Sequence, residues 1–157
     1  MADKSKIGFE FPSQTLAVEK GKIAEFVMAV AQKDRPEKIN PIYTSEAAAK
    51  KAGYPGIIIP PTFPTSLLFW TGGGLLGVVN ALGINLGRLL HGEEEYEYCG
   101  SVCAGDVLTG TLKVVDMYDK EKKDKPGKFM EFTVLETEMR NQRGELVVKA
   151  RTVLVER

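Results

Sequence analysis

A single histidine, two cysteines and one tryptophan occur among 157 residues, and each scarcity removes a class of chemistry. A zinc centre takes three or four Cys, His or carboxylate ligands, and His91 with Cys99 and Cys103 falls short of the usual set. The two cysteines form a C-x3-C pair around Gly100 with no export signal near it, so the expectation is two reduced, unpaired thiols. Met1 to Glu10 mixes Asp3, Lys4 and Lys6 and has no apolar core, so it reads neither as a secretory leader nor as a transit peptide, and the expected location is the cytoplasm. An excess of positive charge is also missing. Lys and Arg number 21 against 21 Asp and Glu, which argues against a nucleic-acid surface or a polybasic membrane patch, since both must draw in phosphates.

Charge of either sign is missing from one long stretch. The 36 residues between Lys51 and Arg88 contain no Asp, Glu, Lys or Arg, so this segment is expected to be buried or to line a site for something apolar. Ser66 to Gly87 matches the ~20 residues that cross a bilayer. It is broken, however, by Gly72, Gly73, Gly74, Gly77, Gly83, Asn80 and Asn85 and lacks a sustained run of Leu, Ile and Val, so a buried helix within a soluble fold is expected and no membrane span. Gly72-x-Gly74-x-x-Gly77 satisfies the dinucleotide fingerprint in letters only, because no strand precedes it. No cofactor is expected.

What is present reads as helices followed by strands in a chain of one-domain size, residues 1–157. Ile23, Phe26, Val27 and Val30 form the stripe of an amphipathic helix over Glu19 to Gln32. Thr44 to Gly53 reads as a short helix with a hydroxyl N-cap, Glu46 in the first turn, lysines in the last and glycine at the exit. A third begins near Thr62 and Pro64. From Arg88 onward the period becomes two, predicting strands over Arg88–Tyr98, Val107–Tyr118, Phe129–Arg140 and Glu145–Glu156, with a further early strand within Phe11–Val18. In the third of the four, the apolar positions pass from Phe132 and Val134 to Leu135 and Met139, which suggests a bulge or bend. Asn141 to Gly144 predicts a hairpin turn, and the charged run Asp119 to Lys128 a longer, solvated one. Helices and strands segregated in this way imply an α+β fold, a curved antiparallel sheet of about five strands around an apolar helix.

Three segments carry a resemblance to a known family. Asn40-Pro41-Ile42-Tyr43 with the Ala-rich helix after it resembles the hydratase motif D-x-N-P-(L/I)-H of the MaoC-like (R)-specific enoyl-CoA hydratases and 3-hydroxyacyl dehydratases, which have the hot-dog fold. Pro60-Pro61-Thr62-Phe63 is similar to the entry into that fold's central helix, and His91 to Tyr98 followed by Gly105-Asp106-Val107-Leu108 to its second strand and the turn after it. In active members the motif's Asp and His activate the water that adds to the enoyl thioester. Here the Asp position is Lys38 and the His position is Tyr43, with Asn40 retained. Ordinary lysine and tyrosine side chains hold their protons at pH 7, so this pair does not replace a base that must give and take a proton there. His91 is a weak candidate for a lone base, and Glu93, Glu94, Glu95 and Glu97 form an acidic cluster beside it.

The resemblance is closest to the N-terminal halves of double hot-dog hydratases and to the non-catalytic subunits of heterodimeric ones. It implies an acyl-CoA- or acyl-carrier-protein-binding subunit, with the acyl tunnel bordered by Pro61, Thr62, Phe63, Leu67, Trp70, Gly72, Gly73 and Gly74, and with the Asp/His pair supplied by a partner. It also implies a homodimer or a heterodimer with a catalytic MaoC-like subunit. A self-sufficient homodimeric hydratase with an altered site and a non-enzymatic acyl-CoA-binding protein are the alternatives.

Overall fold

The computed structural model describes residues 3–31, 38–68 and 73–157. Among these the chain forms β1 (Gln14–Ala17), α1 (Lys20–Val30), α2 (Glu46–Lys51), α3 (Pro64–Leu68), α4 (Gly74–Leu82), β2 (Leu89–Tyr98), β3 (Val107–Glu121), β4 (Phe129–Arg140) and β5 (Leu146–Glu156). The strands make one antiparallel sheet in the order β1-β3-β4-β5-β2, an α+β hot-dog arrangement with β1 and β2 at its edges.

Local sequence explains each helix. In α1, Ile23 and Val27 are buried and Phe26 sets its ring edge-on to Phe63 at 5.3 Å. The stripe stops one turn early: Val30 is 60% exposed, because the helix ends there and the chain turns extended at Ala31. The cap of α2 is Ser45, whose Oγ accepts from the Ala48 N–H at 3.3 Å, while Glu46 pairs with Lys50 one turn on. Gly53 leaves it with a left-handed φ of +91°.

The neutral segment is not one helix. α3 starts on Pro64 and α4 on Gly74, and residues 69–72 between them lie outside those described. Gly73 and Gly83, both left-handed, bracket α4. Its Val78, Val79 and Leu82 bury against Leu112, Val114 and Leu135 of the sheet, whereas Leu75 and Leu76 face outward, 41% and 60% exposed. Among the described residues no helix is long and apolar enough to cross a membrane.

A second cluster joins α1 and the loop over Ile57–Ile59 to Phe63, Leu108, Met139 and Val148. On the opposite face of the sheet, Val134, Val153 and Val155 are covered by Val115, Met130 and the stacked rings of Tyr118 and Phe132. This third cluster corrects the reading of β4. Its change of apolar parity is no bend, because Phe132 and Val134 serve one face while Leu135 and Met139 serve the other. The irregularities sit on the neighbouring strands: the β3–β4 register shifts between Val114 and Asp116, with the extra residue on β3, and the β4–β5 register shifts at Met139 and Arg140, with the extra residue on β5. The hairpin turn is as the sequence predicts: the Asn141 side-chain oxygen accepts from the N–H groups of Arg143 and Glu145, with Gly144 at a φ of +79°.

Candidate functional site

The Asn-Pro motif folds into a single 3-10 turn, Pro41–Tyr43. Asn40 caps it, its Oδ1 accepting from the Ile42 N–H at 3.2 Å, and Pro41 supplies the fixed φ that the first turn needs. The turn aims the half-buried Tyr43 at the core cluster around Phe63. Lys38, Asn40 and Tyr43 come together on an open cavity of about 220 Å³, lined also by Val27, Val30, Ala31, Ile39 and Pro60.

Tyr43 also lines a neighbouring cavity of about 450 Å³, together with Tyr54, Ile58, Pro61, Tyr98 and Cys99. Tyr98 is fixed there by its hydroxyl, which donates to the Pro61 carbonyl at 3.0 Å. Burial, with Tyr43 beside it, pushes the Tyr98 phenol up to about 12, so the group stays neutral and keeps its bond to Pro61. Neither lining contains a carboxylate or an imidazole among the described residues. The surroundings can therefore hold an apolar chain and offer hydroxyl groups to it, and they hold no side chain whose ordinary titration is near neutral pH.

The other residues marked in the sequence are dispersed. Phe63 and Leu67 are wholly enclosed in the core, and Thr62 is exposed. Gly73 and Gly74 form the left-handed entry to α4. Trp70 and Gly72 lie outside the described residues.

His91 stands apart from both cavities on the helix-facing side of β2, opposite Leu154. Its Nε2 is 3.0 Å from Glu94 Oε2, which also accepts from the Thr152 hydroxyl at 2.7 Å. Tyr96 follows on the same face, its phenol raised above the usual range by burial first and by the neighbouring Glu94 as well. Glu93, Glu95 and Glu97 point to the other side, so the acidic run is two groups and not one. Among the described residues no three His, Cys, Asp or Glu side chains gather as a metal centre would require. Cys99 and Cys103 are free thiols, and burial raises Cys103, which is held beside Asp106.

Sequence reading missed Tyr54 and Tyr98 as cavity residues. The signal available for Tyr98 was its alternation with Tyr96, which gave a face and no partner.

Comparison with known proteins places these features in company. Residues 5–150 match the family described as "FAS1-like, dehydratase domain region". A UPF0336 protein of Streptomyces coelicolor is 33% identical over 156 residues, spanning 99% of this chain and 95% of its own. Among solved structures, the C-terminally truncated HadBC (3R-hydroxyacyl-ACP dehydratase) complex of Mycobacterium tuberculosis superposes with a TM-score of 0.76 at 22% identity, covering 96% of each chain. The ChsH1–ChsH2 complex of the same organism gives 0.67 at 16% identity, covering 96% of this chain and 98% of that one.

Proposed function

Starting from a chain that belongs to the FAS1-like dehydratase-region family, within the MaoC-like hot-dog dehydratases, we propose that it is the acyl-thioester-binding subunit of an enoyl-thioester hydratase or 3-hydroxyacyl dehydratase. A partner chain supplies the catalytic Asp and His. The observation that carries this reading is the meeting of Lys38, Asn40 and Tyr43 on one cavity, with Tyr43 also lining a second, larger one, and neither lining contains a carboxylate or an imidazole among the described residues. Reversible dehydration needs one group to take the proton from C2 of the 3-hydroxyacyl thioester and another to protonate the departing hydroxyl. At the motif positions an ordinary lysine and tyrosine hold their protons at neutral pH and so provide no base for the first step, while the apolar walls suit a long acyl group, at about 0.8 kcal/mol per buried CH2. The likeness to the HadBC and ChsH1–ChsH2 complexes supports an assembly of unlike subunits. The whole chain serves as one such domain, in the cytoplasm, without a cofactor.

The test is an enoyl-CoA hydration assay on the purified chain, alone and after co-expression with a MaoC-like chain whose D-x-N-P-x-H motif is intact. Alone it should show no turnover above background, and together they should turn over at ordinary enzyme rates. Turnover by the chain alone overturns the reading.

One observation favours a second reading, a self-sufficient enzyme: His91, Glu94 and Thr152 form a hydrogen-bonded row with the form of a supported base. Should the isolated chain prove active, His91→Ala must abolish that activity for this row to be its source.

A further inference from the structure

β2 is the outermost strand on its side of the sheet; it is ten residues long, contains no proline and pairs on one side only, with β5, among the described residues. The opposite edge, β1, has four residues. An open edge of that length is a template for another strand.

The face of the sheet turned away from the helices carries an ordered row of charge. Glu10 bridges to Lys113, Lys113 stands opposite Glu136, Glu136 opposite Arg151, and Arg151 opposite Glu95. The signs run minus, plus, minus, plus, minus across the entire sheet. The next row repeats the end of the pattern, with Glu138, Lys149 and Glu97 in turn. Each row reaches the open edge on a glutamate, and Glu93 adds a third on the same face, opposite Val153.

A further strand beside β2 would meet these three carboxylates directly. Opposite charges facing one another across strands are favourable and like charges unfavourable. A second copy of this chain, paired antiparallel through β2 with faces matched, sets glutamate against glutamate in every register centred between Glu93 and Glu97. A strand with Lys or Arg at alternate positions would continue both rows. We infer that the β2 edge docks a different polypeptide whose edge strand presents basic side chains to Glu93, Glu95 and Glu97, and that these residues disfavour self-pairing. The inference rests on the reading of this chain as one of two unlike subunits and gives the chemistry of the other.

The experiment needs only the full-length chain. Self-association is measured by sedimentation equilibrium at low and high salt, for the unaltered chain, for E93Q/E95Q/E97Q, and for an equimolar mixture of the unaltered chain with E95K/E97K. Hydrogen exchange over Leu89–Tyr98 reports whether the edge itself is covered, and far-UV circular dichroism that each variant is folded. Removing the charge should tighten self-pairing through this edge roughly tenfold. The mixed pair should be tighter than either component with itself by at least as much, the difference fading with salt. The glutamine variant stands as the check should a lysine beside Arg151 or Lys149 impair folding. An unaltered chain that covers β2 with its own copy as tightly as the variants do overturns the inference, as does a mixture with no preference. Neither result touches the acyl-binding reading, which fails separately if no catalytic partner restores hydration.

Discussion

Tyr98 shows how one residue can join the two halves of the site. Its ring lines the larger cavity with Tyr43, and its hydroxyl anchors the carbonyl of Pro61, 37 residues earlier in the chain. A phenol raised above its unfolded value of about 10 adds stability that is whole below pH 10 and is lost as the pH climbs from there toward 12. Absorbance titration at 295 nm should therefore show a late-ionising fraction that shrinks in Tyr98→Phe. A titration curve unaltered by that substitution would mean that the phenol is not shielded. At this scale the sequence was only half legible. The motif located Lys38, Asn40 and Tyr43, which do meet, and it could not reveal that Asn40 spends its side-chain oxygen on capping the turn. Nor could it reveal Tyr98, whose partner is a backbone oxygen that no side-chain pattern records.

At the scale of elements, periodicity did well where one face met the core and the other met water. The predicted spans of the last four strands differ from those observed by at most three residues at any end. It failed where both faces were covered, as in β4, because two apolar faces in register look like one face with a bend. The neutral segment was misjudged for a related reason. An absence of charge says nothing about direction, and only the left-handed glycines decide where α4 begins and ends. Gly83, at a φ of +67°, is the clearest of these. Gly83→Ala should destabilise the chain by about 1 kcal/mol, the cost of holding a Cβ in that region, and Gly83→Asn by less. Thermal melting checks this: a shift of roughly 2–4 °C is expected for alanine in a chain of this size, and no shift would mean that the helix end repacks without cost.

For the whole molecule, the separation of charge matters more than its sum. The apolar segment supplies α3, α4 and, through Tyr54, Ile58, Ile59 and Pro61, part of the larger cavity's wall, while charged residues are ordered across the far side of the sheet. Sequence alone showed the first of these divisions and not the second, since the row Glu10, Lys113, Glu136, Arg151 and Glu95 exists only after strands distant in sequence are laid side by side. A ligand that binds the folded chain alone raises its stability by about 2.7 kcal/mol at a hundred times its Kd. Melting in the presence of acyl-CoA thioesters should therefore rise with acyl length, each added CH2 tightening binding about fourfold until the cavity is full. A response independent of length would count against an acyl site.

Gly92 links these scales. The β2–β5 register shifts between His91 and Glu93, so the strand carries one residue more than its neighbour there. A Cβ at this point would lie 2.8 Å from Val155 Cγ2 and 3.1 Å from the Val153 carbonyl, and the extra residue is tolerated only because it has no side chain. Its effect is that of a frameshift in a message written in twos: before it, even-numbered Leu90 looks away from the helices, and after it the odd-numbered glutamates do. Loss of Gly92 altogether would leave His91 and Glu93 on the faces they already occupy, whereas a larger side chain would have to force the frame open. The position is one where deletion is gentler than replacement.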